Sequence, residues 1–281
     1  MTPSVADLHL HTVASDGTQT ISEMVARAHA CGLGAVAITD HDTISPELTG
    51  RVATLQGIEV ITGVELKADF DGVTGELLGY FVDPQSPPLR ELLQWMEGAR
   101  LQRMEQMVEK CREAGIEVGM PDVRRHAAGN FGRPHLARAL VESGAVRESD
   151  EAFERLIGRG RPCYVSLDKI GFREAVEVLH GAGGAVSVAH PCLMRVPDWD
   201  GFLDALVAAG VDGMELVYPY RTSLATEFAI SPALLVAKAG QRGLLTTGGS
   251  DDHGLESTKV TLGQIRLPYE HVVALKRITA A

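Results

Sequence analysis

Residues 5–11 read Val-Ala-Asp-Leu-His-Leu-His. Apolar and polar side chains alternate, as in a strand with one face turned to a core. Residues two apart on a strand share a face, so His9 and His11 project together while Leu8 and Leu10 pack the other way. Asp7 shares the face of His9 and is expected as the carboxylate that orients an imidazole. Asp251 and His253 repeat the same i, i+2 spacing.

Outward from this strand, apolar runs alternate with amphipathic ones. Residues 21–31 read as a helix, opened by Thr20-Ile21-Ser22-Glu23 as a capping box. Residues 35–38 form a buried strand that delivers Thr39-Asp40-His41-Asp42 at its C-terminal end. Strands are expected at 59–66 and 77–82. From 89 to 115 the pattern becomes a long charged helix, and shorter Arg-rich helical pieces follow to about 160. Alternation then returns, with helices at 172–181, 199–209 and 225–239 and strands at 185–189, 213–218, 243–247 and 260–267. This pattern predicts one domain of residues 1–88 and 163–281 with an inserted helical subdomain at 89–162. Strands alternating with helices imply a parallel sheet. The fold class is therefore α/β, as a closed or nearly closed barrel or a doubly wound open sheet. No G-x-G-x-x-G or Walker-type loop follows any strand, which weakens the nucleotide-binding forms of the open sheet.

The composition narrows the partners. The chain has 281 residues, 45% hydrophobic and 22% charged, which excludes wholesale disorder. Asp plus Glu number 37 against 26 Lys plus Arg, a formal charge of -11 that disfavours bulk nucleic acid and anionic membranes. No apolar run approaches the roughly 20 residues of a membrane span, and the N-terminus lacks a secretory pattern, so a cytoplasmic location is expected. The four cysteines have no C-x-x-C pair and read as free thiols.

Polar clusters fall where strands run into loops: Asp7 to His11, Ser15-Asp16-Gly17, 39–42, Gly63-Val64-Glu65, Ala189-His190-Pro191 and Gly249-Ser250-Asp251-Asp252-His253. Five imidazoles and several carboxylates gathered at one end of a sheet are costly unless they hold metal. Histidine and carboxylate donors without thiolate suit Mn, Zn or Fe. More donors are present than one ion can use, so two or three ions sharing a carboxylate are expected. Such ions hold phosphate oxygens and activate water, which points to hydrolysis of a phosphate ester.

The ordered motifs DLHLHT, SDG, TDHD, GVE, AHP and GSDDH resemble the PHP (polymerase and histidinol phosphatase) superfamily of metal-dependent phosphoesterases over residues 7–253. The insertion and its Arg133-Pro134-His135-Leu136-Ala137-Arg138 segment are similar to the branch of nucleoside 3′,5′-bisphosphate phosphatases and related 5′-3′ exoribonucleases. The resemblance implies a distorted (β/α)7 barrel. It implies that His9, His11, Glu65 and Asp251 hold one ion, that Asp16, His41 and His253 hold another, and that Glu65 bridges to a further ion taken by His190. Glu76 stands where the family usually has a histidine ligand, and Asp252 where an apolar residue is common. The resemblance makes Arg133 and His135 substrate-phosphate contacts; Arg195 and Tyr218, just beyond strand ends, are weaker candidates for gripping a second phosphate or the nucleoside. The expected reaction is attack of a metal-bound hydroxide on a small phosphorylated substrate, most readily a nucleoside bisphosphate. Short RNA digested from its 5′ end, histidinol phosphate and a non-catalytic metal-binding module are the alternatives. His29, His180 and His271 read as ordinary helix residues, and Trp95, Met96, Met104 and Met107 as helix packing.

Overall fold

The structure, a computed structural model, describes residues 4–220, 228, 230–257 and 259–280. Its elements run β1 (Val5–Leu10), α1 (Ile21–Ala30), β2 (Ala35–Ile38), β3 (Val52–Leu55), β4 (Ile58–Phe70), β5 (Val73–Tyr80), α2 (Pro87–Glu113), α3 (Met120–Arg124), α4 (Arg133–Glu142) and α5 (Ser149–Ala152). A π-helical turn at Phe153–Ile157 leads to β6 (Ile170–Gly171), α6 (Phe172–Gly181), β7 (Ala185–Val188), α7 (Trp199–Ala208), β8 (Gly213–Val217), α8 (Pro232–Gln241), β9 (Leu245–Gly248), β10 (Leu267–Pro268) and α9 (Tyr269–Ile278).

The sheet runs β10-β1-β2-β4-β5-β7-β8-β9. It curls until the chain after β9 meets β1: His11 N donates to Asp252 O at 2.9 Å and Asp251 N to His9 O at 2.9 Å. A nearly closed α/β barrel results. The expectation of parallel pairing needs correction at β3, antiparallel to β4, at β10, antiparallel to β1, and above all at β5. β5 is antiparallel to both β4 and β7, whereas β1, β2 and β4 are mutually parallel, as are β7, β8 and β9. The cause is a tight hairpin between β4 and β5. Asp71 and Gly72 both take positive φ, 54° and 95°, the conformation a two-residue hairpin turn requires. The strand expected at 260–267 shrinks to Leu267–Pro268, paired antiparallel to β1. The helix expected from 225 begins at Pro232, and 225–227 lie outside the described residues.

Helix α1 starts as its sequence directs. Thr20 accepts from Glu23 N, and the Glu23 carboxylate accepts from Thr20 N at 2.8 Å. Its buried Ile21, Met24, Val25 and Ala28 pack with Leu10, Val36, Ile38 and Val60. The long α2 joins two cores. Leu89, Leu92 and Met96 pack with β4, β5, α6 and α7, whereas Met104, Met107 and Cys111 join Val123, Leu136, Leu140 and Ile157 in a separate cluster. The methionines are buried as expected, but Trp95 is 47% exposed and packs no core. Buried Arg100 on α2 ties the insertion to the barrel, its Nε donating to Asp42 Oδ2 at 2.6 Å. Among the described residues no helix is long and apolar enough to cross a membrane.

Candidate metal centre

Each element ends where its polar residues are needed. β1 carries His9, the residue just past its end is His11, the loop beyond carries Asp16, the turn after β2 His41, and β4 Glu65. β5 carries Glu76, and the turns after β7 and β9 carry His190, Asp251 and His253. His190 and Asp251 sit at φ 27° and 55°, backbone conformations that cost energy in non-glycine residues and concentrate at functional sites.

The side chains converge. His9 Nε2 lies 3.1 Å from His11 Nε2, and both face Glu65 Oε2, at 3.4 and 3.3 Å. Asp251 Oδ1 is 3.2 Å from His11 Nε2. His41 Nδ1 is 2.8 Å from Glu65 Oε2, and His190 Nε2 is 3.0 Å from Glu65 Oε1. Asp16 Oδ1 lies between His41 Nε2 and His253 Nε2, at 3.8 and 3.5 Å. Donor atoms of His11, Asp16, His41 and His253 all fall within 4.8 Å of one another, as do those of His9, Glu65 and His190, of His9, His11 and Asp251, and of His41, Glu65 and Glu76.

Without a metal this arrangement is badly satisfied. His11 Nδ1, Asp16 Oδ1, His41 Nδ1 and Glu65 Oε2 are buried and make no hydrogen bond, although the last two approach to 2.8 Å. Buried polar atoms left so are rare and costly. Burial, with the neighbouring His253 and His41, pushes His11 down to about 3. Burial acts the same way on His41, but Glu65 and Asp16 outweigh it and lift that imidazole to about 9. Burial would raise Glu65 too, yet His41 and His9 hold it well below the usual carboxylate range. Lone pairs of nitrogen and oxygen aimed at common points, with no thiolate among them, fit divalent cations.

The surrounding partners differ from expectation at one residue. Asp7 does not orient an imidazole: its Oδ1 accepts from Ser250 N at 2.9 Å and His9 N at 3.3 Å. Glu215 takes that task, with Oε1 3.0 Å from His9 Nδ1 and Oε2 accepting His190 N at 2.8 Å. Asp252 forms a double contact with Arg27 at 2.9 and 3.1 Å and also caps the backbone N–H of Gly254, Thr261 and Leu262. That partner explains a carboxylate where an apolar residue is common. Three residues were not singled out from the sequence. Glu215 is a lone carboxylate within the apolar run Gly-Met-Glu-Leu-Val, Lys67 reaches Glu76 at 2.8 Å, and Lys259 reaches Asp251 at 2.5 Å. Of these only Glu215 left a trace, since a charge in a buried strand requires a partner.

A cavity of about 810 Å³ opens over this cluster, between the barrel and the insertion. Arg103, Arg133, Arg138 and Arg159 line it, and among the described residues none of the four forms an ion pair with a carboxylate. The Arg133 guanidinium lies 5.2 Å from the Phe153 ring and 5.9 Å from Tyr164, which hold its plane. The insertion is seated on the site by the loop before α4, where Asn130 N donates to Ala14 O at 2.9 Å. A Cβ at Gly129 would lie 2.0 Å from that same oxygen, so only glycine permits the approach. His135 lies beneath the cavity wall, 1% exposed, its Nδ1 accepting from Gly132 N at 3.0 Å. Arg195 is exposed and outside the lining, and Arg125 is an exposed partner of Asp122 and Glu142. Tyr218 does reach the site, donating to Asp251 Oδ2 at 2.8 Å.

Donors suited to divalent ions, beneath guanidinium groups suited to an oxyanion, describe a metal-dependent phosphoric ester hydrolase. Comparison with known proteins agrees. The PHP domain model matches residues 7–120. A 5′-3′ exoribonuclease of Haemophilus influenzae is 35% identical over 75% of this chain and 78% of its own. A 3′,5′-nucleoside bisphosphate phosphatase of Chromobacterium violaceum is 32% identical over 88% of this chain and 86% of its own. A crystal structure from Bifidobacterium adolescentis, described as that of a metal-dependent phosphoesterase, superposes with a TM-score of 0.84 at 29% identity, over 97% of this chain and 96% of that one. The chain belongs to the PHP domain family.

Proposed function

We propose that this chain releases phosphate from a small phosphorylated metabolite, with a nucleoside 3′,5′-bisphosphate as the first candidate. The observation that carries this reading is the set of four arginines on the cavity wall that, among the described residues, have no carboxylate partner, in a protein whose formal charge is -11. A small dianion gains from that wall, whereas a long polyanion meets the acidic body around it. The similarity to the Chromobacterium violaceum phosphatase points the same way.

His9, His11, Asp16, His41, Glu65, Glu76, His190, Asp251 and His253 would hold two or three divalent ions, with manganese first and zinc or iron as alternatives. Bound there, such ions supply a lowered water pKa and positive charge toward the phosphoryl oxygens. The chain's own residues do the rest. Glu215 holds the His9 ring with its Nε2 lone pair turned inward. Arg133 offers a planar fork to a phosphate, and Arg103, Arg138 and Arg159 extend the positive wall far enough for a second one. Tyr218 and Lys259 both donate to Oδ2 of Asp251, which leaves its Oδ1 turned toward His11. The four free cysteines suit a reducing compartment and hence a cytoplasmic location.

The test is phosphate release from adenosine 3′,5′-bisphosphate by chelator-stripped protein reloaded with manganese, with histidinol phosphate and a 5′-phosphorylated dinucleotide in parallel. Manganese-dependent release from the bisphosphate supports the reading. Mononucleotide release from the dinucleotide alone would move the substrate to short RNA, the activity named for the Haemophilus influenzae relative. No release from any of the three would overturn it.

A further inference from the structure

In the β4–β5 hairpin Lys67 pairs directly with Glu76 across the strands, so both side chains leave the same face. Glu65 precedes Lys67 by two positions on β4 and shares that face. Lys67 Nζ donates to Glu76 Oε1 at 2.8 Å. The other Glu76 oxygen, Oε2, lies 3.3 Å from His190 Nε2, the nitrogen that meets Glu65 Oε1 at 3.0 Å. The ammonium thus sits against one of the three residues that would close a site between β4, β5 and β7.

The backbone that carries the lysine is fixed. Its backbone N–H donates to Asp42 Oδ1 at 2.8 Å, and Asp42 is itself held by buried Arg100 at 2.6 Å. Its side chain lines the cavity, so the ammonium faces the place where a phosphoryl group would bind. A divalent ion and an ammonium on one carboxylate repel strongly where the dielectric is low. An ion that takes Glu76, with Glu65 and His41 or with His190, would have to expel Lys67 or accept that repulsion.

Resting on the metal-dependent reading of this site, we propose that Lys67 is a resident cation of the centre. Clamped on Glu76, it holds the number of divalent ions at two and presents the third positive charge to the substrate's phosphoryl oxygens. An ammonium has three N–H donors, and the Glu76 bond uses one.

The experiment counts metal. Wild-type protein is stripped with chelator, reloaded with excess manganese, desalted and analysed for manganese per chain, with thermal unfolding recorded with and without metal. Two ions per chain are expected for wild type and for Lys67→Arg, which keeps the charge. Three are expected for Lys67→Met, which leaves Glu76 free, and for Glu76→His, which removes the anchor of Lys67. Three ions in wild type, or two in a folded Lys67→Met protein, would overturn the proposal. The wild-type count stands even where a variant does not fold. Phosphate release from the bisphosphate by a three-ion wild type would end this role for Lys67 and leave the proposed hydrolysis standing. Two ions without any phosphate release would do the reverse.

Discussion

Glu215 Oε1 lies 3.0 Å from Nδ1 of His9, at a depth where neither side chain is exposed. The carboxylate can only accept, so it selects the tautomer with hydrogen on Nδ1 and leaves the Nε2 lone pair directed at His11, Glu65 and Asp251. Replacing Glu215 by glutamine offers His9 an amide donor and permits the opposite tautomer. Metal affinity is expected to fall about 10- to 100-fold, as for other partners that orient metal-binding histidines. Chelator competition reads it, and an unchanged dissociation constant would show that Glu215 does not set the tautomer.

His9 and Asp251 meet the centre from opposite sides of the barrel seam. His9→Ala and Asp251→Asn are each expected to lower kcat at least roughly a thousandfold by removing charge stabilisation in the transition state. Near wild-type turnover of both variants, with manganese supplied, would dissociate these residues from the reaction.

Metal should also act on stability. His11 Nδ1 and Asp16 Oδ1 make no hydrogen bond, and cations would relieve the crowding of His9, His11 and His41 on Glu65 Oε2. Chelator-stripped protein is expected to melt lower than loaded protein. Manganese at a hundredfold over its dissociation constant should add about 2.7 kcal/mol per site. A melting temperature insensitive to both chelator and manganese would count against a metal centre.

Gly249 lies where the chain after β9 crosses β1. A Cβ there would come within 2.2 Å of His9 Cβ and 2.5 Å of His9 N. Gly249→Ala is expected to cost about 1–3 kcal/mol by overpacking and to reduce bound manganese at the same time. Urea denaturation and metal analysis measure the two effects. Loss of stability with full metal content would place the strain away from the ligands.

His180, at the end of α6, faces Asp212 at 2.9 Å. The hydrogen bond to Asp212 raises the imidazole above its ordinary value in spite of partial burial. A histidine raised on folding stabilises the protein fully below the unfolded value near 6.5 and loses that contribution as pH climbs through the folded value. The side chain is 36% exposed, so screening limits the contribution to about 0.5 kcal/mol. His180→Gln should therefore differ from wild type at pH 5.5 and converge with it by pH 9. A difference that grows with pH would refute the assignment.

Much of the centre was legible because strands have a period of two. The spacing of His9 and His11 defines one face without any tertiary information, and apolar runs ending in acids and imidazoles mark the mouth of a sheet. The capping box at Thr20 was readable for the same local reason. The direction of β5 was harder to see. Asp71-Gly72 between alternating residues is a hairpin signal, but a turn reveals its conformation only when the flanking strands pair. Residues 260–267 carry enough apolar side chains for a strand, yet Thr261 N and Leu262 N are drawn to Asp252 Oδ2 instead of a ladder.

Residue types and local spacing by themselves determined the α/β pattern, the donors available to a metal and the absence of thiolate among them. These depend on interactions within a few positions, whose geometry is set by the backbone. Tertiary structure alone decided that Glu215 and not Asp7 faces the imidazole, that Lys67 reaches Glu76, that Arg27 neutralises Asp252, and that Arg133 lines the cavity while His135 lies beneath it. Each of those pairings joins separate strands, helices or loops, and the Arg27–Asp252 contact spans 225 positions. The Lys67–Glu76 contact needs only the β4–β5 hairpin to pair, whereas those to Glu215 and Asp252 form when barrel closure brings distant backbones within side-chain reach, and no local period encodes which partner waits there.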